Sequence, residues 1–157
     1  MASMLEIYLQ NHEAAAQAGH DLARRAAAGQ RHKPYAAQLR TLAADVGQDR
    51  DRLRAIIAGA GLRPAPLLGL ALRLGERVGR LKPNGRILRR SPLSDLFEVE
   101  ALLDAVHAKR AGWQALAAAA PATGDPDEIA DLLHRADAQI AVLQGLHEQV
   151  ASEVLRR

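Results

Sequence analysis

Apolar and small side chains recur three and four residues apart along four long stretches of the chain, and Gly and Pro residues separate these stretches. This spacing places the apolar residues on one face of an α-helix, which is typical of helices that pack into a bundle. The pattern predicts helices over residues 4–28, 34–59 and 92–120, and from Asp125 to the end of the chain. Pro34, Pro92 and Pro126 are expected in the first turns of the last three helices, with Ser91 and Asp125 as N-caps.

Each predicted helix carries one apolar stripe, and polar residues enter three of the four stripes at His12, Asp49 and His147. The stripes comprise residues 5, 8, 12, 15, 19, 22 and 26; 35, 39, 42, 46, 49, 53 and 56; 96, 99, 103, 106 and 113; and 129, 133, 136, 140, 143, 147, 150 and 154. An all-α four-helix bundle therefore follows.

One domain is expected to span residues 1–157, since this length supports a single core. It divides into a hairpin at 4–60, a connector at 61–91 and a second hairpin at 92–157. The connector is predicted to hold a short amphipathic helix over 66–81, followed by a turn at 83–85.

Composition agrees with this fold class and narrows the chemistry. Hydrophobic residues make up 48% of the chain but aromatic residues only 3%, so the apolar content rests on Ala and Leu, which favour helices. The chain has no cysteine, which excludes disulfides and thiolate ligands. Its longest apolar run is far shorter than the roughly 20 residues of a membrane-spanning helix. We expect a cytoplasmic protein.

The net charge of +3 is distributed unevenly. Between residues 63 and 90 stand eight Lys or Arg and one Glu, a local charge of +7, so the remainder of the chain sums to −4. This basic connector is a candidate site for anions, nucleic acid or an anionic membrane. The alternative is a solvated arginine face that pairs with acidic helices of the same bundle. The candidate anion-binding residues are Arg73, Arg77, Arg80, Lys82, Arg86, Arg89 and Arg90.

Histidine and carboxylate residues on the four helices form a candidate metal site. Counted from the turn near residue 31, His12 and Asp49 stand at one level, and an up-down-up-down bundle would bring Glu100 and His147 to the same level. His107 lies seven residues after Glu100. Imidazole and carboxylate oxygen suit Fe, Mn or Zn. The alternative is a buried hydrogen-bonded network without metal.

The stretches Met4-Leu-Glu-Ile-Tyr-Leu9, Lys82-Pro-Asn-Gly-Arg86 and Ser91-Pro-Leu-Ser94, continuing to Trp113, resemble small uncharacterised ferritin-like proteins of high-GC bacteria. The resemblance implies a bundle with one long crossover between the second and third helices. Di-iron members of that superfamily carry Glu on helices 1 and 3 and Glu-x-x-His on helices 2 and 4.

This chain departs from the di-iron pattern. It has Asp45-x-x-Gln48 on the second helix and Asp131-x-x-His134 on the fourth. A crossover would also reverse the last two helices relative to the simple count. His12 and Asp49 would then stand level with His107 or Arg110 and with His134, away from Glu100 and His147.

Three functions follow as hypotheses. The first is a ferritin-like binding or interaction module without enzymatic activity, whose polar seam holds at most a single metal ion. The second is a metal-dependent oxidoreductase that uses the five histidine and carboxylate residues of the candidate site. The third is anion binding by the connector. Ala-rich faces at 14–16 and 117–120 are compatible with close helix approach in a homodimer.

Overall fold

The computed structural model describes residues 3–62, 91–119 and 125–156, which form four α-helices and no strand. Helix α1 spans Met4–Gly29, α2 spans Ala36–Gly59, α3 spans Pro92–Ala118 and α4 spans Pro126–Leu155. The predicted all-α class with four long helices is confirmed. The predicted short helix over 66–81, the turn at 83–85 and the seven candidate anion-binding residues lie outside the described residues.

Local capping explains where the helices begin. The Asp125 side chain accepts a hydrogen bond from the Asp127 amide at 3.0 Å, and Pro126 occupies the first helical position, as predicted. Ser91 stands at the predicted N-cap, but its hydroxyl pairs with that of Ser94 instead of capping a backbone amide. The prediction for Pro34 is wrong, because α2 begins at Ala36 and Pro34 lies in the preceding turn.

Helix α1 runs antiparallel to both α2 and α3. At one end, the Gln30 amide donates to Glu98 near the start of α3, at 2.8 Å. Further along, His12 of α1 lies against Gly112 near the end of α3. The order of contacts along α1 is therefore the reverse of their order along α3.

Helices α2 and α4 are antiparallel as well. Arg52 near the end of α2 pairs with Glu128 at the start of α4, with 3.1 Å between Arg52 Nε and Glu128 Oε1. Gly59 and Pro92 therefore lie at opposite ends of the bundle, and α2 and α3 point in the same direction. The up-down-up-down arrangement is wrong, because the long connection between α2 and α3 returns the chain to its starting end.

The buried faces agree best with the sequence pattern on α2. All seven residues of its predicted stripe are buried, including Asp49. On α1 the predicted face is partly wrong, since Ala15 is exposed while Leu9, Ala14 and Ala23 are buried. Alanine and glycine occur on several sides of α1, so the apolar pattern does not select a single face of this helix.

Polar contacts at one end of the bundle tie the α1–α2 turn to the other hairpin. The Lys33 ammonium lies 3.0 Å from Glu153 of α4 and 3.3 Å from Asp95 of α3. The hydrogen bond to Glu153 is the main reason that the pKa of Lys33 is raised. Gln30, which is buried, adds its bond to Glu98. These bonds set the register between the two hairpins.

Two glycines allow imidazole rings of α1 to lie directly on neighbouring helices. A Cβ atom at Gly47 of α2 would be 2.9 Å from His20 Nε2, and one at Gly112 of α3 would be 2.8 Å from His12 Nδ1. Any larger residue would displace the ring, so these glycines determine how closely α1 approaches α2 and α3.

Gly112→Ala should therefore destabilise the protein although alanine is the better helix former. A glycine-to-alanine change within a helix normally stabilises by about 0.5–1 kcal/mol, whereas overpacking costs about 1–3 kcal/mol. We expect urea unfolding to show a net loss of about 1 kcal/mol for Gly112→Ala. Gly145→Ala is the matched control, since no atom of another described element lies within 4 Å of its Cβ position, and it should stabilise.

In a His12→Ala background the clash is absent, and Gly112→Ala should become stabilising. Equal stabilisation by Gly112→Ala and Gly145→Ala in the native background would contradict the close contact.

Candidate functional site

A single buried carboxylate connects three of the four helices. Asp49 lies on α2, and its side chain is fully buried. Its Oδ1 accepts from Arg135 Nε at 2.8 Å, and its Oδ2 accepts from Lys109 Nζ at 2.5 Å and from Gln139 Nε2 at 2.8 Å. Lys109 also donates to Gln139 Oε1. We call Asp49, Lys109, Arg135 and Gln139 the Asp49 cluster.

The charges of this cluster decide the protonation state of its members. Burial acts to raise the pKa of Asp49, but the Lys109 charge and three hydrogen bonds outweigh it and hold that pKa below its usual value. Burial lowers the pKa of Lys109, and the attraction of Asp49 opposes this only in part. Asp49 is thus ionised at neutral pH, and two cations share its charge.

A cavity of about 290 Å³ lies beside the Asp49 cluster, between α1, α2 and α3. Most of its walls are aliphatic or small, while Asp49, Lys109 and His12 supply polar atoms. Its exposed lining residues stand on α1 and α3, where Asn11 and Ala15 face Ala108. The cavity is therefore an apolar space with one charged wall.

Trp113 is the largest aromatic residue beside this cavity. Its side chain lines the space and is buried, and its Nε1–H has no hydrogen-bond partner among the described residues. A buried donor without an acceptor costs free energy, so native structures seldom contain one. This N–H is also buried too deeply for a water-sized probe to reach it.

His12 adds a neutral imidazole to the wall. Its ring lies on Gly112 and packs against Tyr8 at a tilt of 49°, with the ring centroids 4.5 Å apart. Burial lowers the pKa of His12 below its usual value, so the ring is neutral at pH 7. His12 can therefore accept or donate a hydrogen bond, but it carries no charge.

The five candidate metal ligands do not come together. Glu100 and His147 pair with each other, with 3.2 Å between Oε1 and Nε2, at a partly exposed position on α3 and α4. His107 is exposed on α3, and His12 lines the cavity without joining Asp49 in a ligand set. In the part of the chain that the structure describes, no three His, Cys, Asp or Glu side chains are grouped to hold a metal ion.

The expected convergence of His12, Asp49, Glu100 and His147 failed because it assumed the up-down-up-down arrangement. The crossover count came closer. It placed His12 and Asp49 level with His107 or Arg110 and with His134, and the observed partners of Asp49 are the nearby residues Lys109 and Arg135. The depth was correct within two residues, but the residues that face Asp49 were not the predicted ones.

One sequence signal identifies Lys109 in retrospect. The apolar stripe of α3 leaves a gap between Val106 and Trp113, and Lys109 fills it at the required spacing of three and then four residues. No role was predicted for Lys109 from the sequence, so its partnership with Asp49 was missed. Arg135 and Gln139 carry a weaker signal, since each only flanks the stripe of α4.

Comparison of the chain with protein-family models, with curated proteins and with solved structures gives no match. Within the described ranges, no helix combines the length and the apolar character needed to cross a membrane.

Asp49→Asn should strongly destabilise the fold. The substitution keeps the shape of the side chain but leaves Lys109 and Arg135 without their shared counter-charge, and breaking a buried ion pair in this way costs about 3–5 kcal/mol. Urea unfolding at neutral pH measures the loss. Asp51→Asn, on the same helix, is the control, because its side chain is 62% exposed and its loss should stay below about 1 kcal/mol.

The pH dependence follows from the lowered pKa of Asp49. Such a group stabilises the fold above its unfolded pKa of about 3.9, and this contribution disappears as the pH falls through the folded-state value. The difference in unfolding free energy between wild type and Asp49→Asn should thus be level from about pH 5 to 7 and shrink below about pH 4. A difference that already declines between pH 7 and 5 would show that Asp49 is not held ionised.

Proposed function

We propose that this chain is a binding protein of ferritin-like architecture whose cavity between α1, α2 and α3 takes up a small, mainly apolar molecule. The observation that carries the proposal is the cavity of about 290 Å³, whose largely aliphatic walls include a few polar side chains, among them Lys109 and His12. Binding sites for small molecules combine apolar walls with a few directed polar groups in this way.

The size of the cavity limits the size of the ligand. Engineered apolar cavities of about 150 Å³ bind benzene, so this space suits a molecule of about two such rings or an eight-carbon chain. Leu9, Leu53 and Leu102 supply apolar contacts from three different helices. Burial of an alkyl chain contributes about 0.8 kcal/mol per CH₂ group, which is sufficient for measurable affinity.

The ferritin-like part of the proposal rests on the helix directions. Helix α1 packs antiparallel to α2 and α3. The last residue of α2 and the first residue of α3 lie at opposite ends of the bundle. A bundle with one long crossover has this arrangement.

The contacts of the candidate metal ligands favour binding over metal-dependent oxidation. Both oxygens of Asp49 already accept hydrogen bonds from cationic side chains, and a metal ion there would meet the charges of Lys109 and Arg135. Glu100 and His147 stand elsewhere on the bundle surface. Anion binding by the connector stays a prediction, since its residues are outside the described ranges.

Filling the cavity should abolish binding. Val106→Phe places a ring in the space, whereas Val99→Phe, one heptad earlier on the same buried face of α3, enlarges a residue that does not line it. We expect 1-octanol to change the fluorescence of Trp113, the single tryptophan of the chain, in wild type but not in Val106→Phe. Val106→Phe should also be more stable than Val99→Phe, because overpacking costs about 1–3 kcal/mol and the cavity offers space for the ring only at position 106.

Binding of 1-octanol by a folded Val106→Phe variant that equals binding by wild type would exclude this cavity as the site. Circular dichroism and urea unfolding of each variant establish that the comparison is made between folded proteins.

A further inference from the structure

Helix α3 carries a second apolar stripe on the face opposite the core. Its exposed residues follow one another at intervals of three, four or seven, so they form a continuous row along the outside of the helix. We call this row the outer seam, and it comprises Leu93, Phe97, Asp104, Ala108, Ala111, Ala115 and Ala118. A helix with apolar residues on both its inner and its outer face is expected to be covered on both sides.

Phe97 is the clearest sign that this face meets a partner. It is the single phenylalanine of the chain, and it is 57% exposed. Leu93, one helical turn earlier, is 41% exposed. Large apolar side chains four residues apart are neighbours on the helix surface, and an exposed patch of this kind marks an interaction site.

The exposed surface of α3 is also nearly free of charge. Among the exposed residues of this helix, which the structure describes over its whole length, Asp104 is the only one with a formal charge. The exposed residues of α1, α2 and α4 include at least two charged side chains on each helix, such as Arg24 and Arg25 on α1. Removing the outer seam from water therefore requires little desolvation of charge.

The order of large and small side chains makes the outer seam complementary to itself. Leu93 and Phe97 are near the start of α3, whereas the last three members of the seam are alanines. In an antiparallel pair of α3 helices with a two-fold axis near Val106, the large residues of each copy lie on the alanines of the other, and Phe97 meets Ala115 of the second copy. A parallel pair would bring Phe97 against Phe97 and leave space between the alanines.

Asp104 favours the same orientation. In the antiparallel pair it lies beside His107 of the second copy, whose imidazole can donate a hydrogen bond to the carboxylate, and the two Asp104 residues are about 6 Å apart along the helix axis. In a parallel pair the two carboxylates would face each other directly and repel. A polar residue within an apolar seam fixes the register of paired helices in this way.

We propose that the outer seam is the contact surface of a homodimer, in which α3 of one copy packs antiparallel against α3 of a second copy. The proposal goes beyond the proposed function and does not depend on ligand binding in the cavity. The two copies meet through identical surfaces, as in most two-fold symmetric dimers.

The length of α3 sets the expected strength of the dimer. A helix of 27 residues is about 40 Å long, so pairing two such helices covers about 400 Å² on each copy. Flanking surfaces of α1 and α4 add to this area, which brings the total near the lower end of the about 1,200–2,000 Å² of specific interfaces. We therefore expect a weak dimer with a dissociation constant of about 10–100 µM.

Sedimentation equilibrium of the full-length chain tests the dimer. The weight-average mass of wild type should rise from 16.9 kDa at about 1 µM toward twice that value at about 500 µM. Phe97→Glu should weaken association about tenfold or more, because it places a carboxylate in an apolar contact. Val142→Glu is the matched control, since Val142 is 43% exposed but belongs to α4, and it should leave association unchanged.

Mixing two single variants tests the antiparallel orientation. Phe97→Lys and Ala115→Glu should each associate about tenfold or more weakly than wild type when alone. In a mixed dimer one Phe97–Ala115 contact stays intact, and at the other the new ammonium group faces the new carboxylate. The mixture should therefore associate more tightly than either variant alone at the same total concentration.

Three results would overturn the proposal. A wild-type mass that stays at 16.9 kDa at every concentration would show that a second copy does not cover the seam. A dimer that Phe97→Glu leaves intact would use another face, and a dimer that this variant disrupts but the mixture does not restore would not be antiparallel. Circular dichroism establishes that each variant is folded, and Ala115→Glu alone tests the seam from its other end if Phe97→Glu is not.

Discussion

The structure depends on keeping one buried negative charge solvated by protein groups. Asp49 projects from α2 into the core of the bundle, where an ionised carboxylate without partners would be prohibitively costly in free energy. Its three donors come from α3 and α4, so the cost is offset only when both hairpins are correctly placed. Such an arrangement contributes less to net stability than apolar packing of equal volume, but it penalises misaligned packing of the hairpins.

The cavity follows from the composition of the helices around it. Where α1 meets α3, the facing residues are mostly Ala and Gly. A Cβ atom placed on Gly19 would lie 3.9 Å from the Cβ atom of Ala105. Small side chains allow the backbones to approach but leave space beside the contact. Aliphatic residues could close that space, yet the charged wall at Lys109 opposes this because it would bury an ammonium group still further. Cavity and charge cluster are thus parts of one arrangement.

The sequence was informative where a strong pattern met a long helix. Every residue of the α2 stripe is buried, because leucine, valine and isoleucine there stand out against polar neighbours. On α1, alanine stands on both the buried and the exposed face, and Ala15 was assigned to the wrong face. Helix direction could not be derived from periodicity, since the spacing of apolar residues reads the same for a helix running either way. The site therefore depended on topology, and Asp49 was recognised without its partners.

The most direct test is the nitrogen–proton spectrum of the single indole group of the chain. Trp113 should give one side-chain signal in the free protein, and 1-octanol should move it together with backbone signals of other residues that line the cavity, because the hydrocarbon chain packs beside them. Signals of the cavity residues that stay in place when 1-octanol is added up to its solubility limit would contradict the cavity as a binding site.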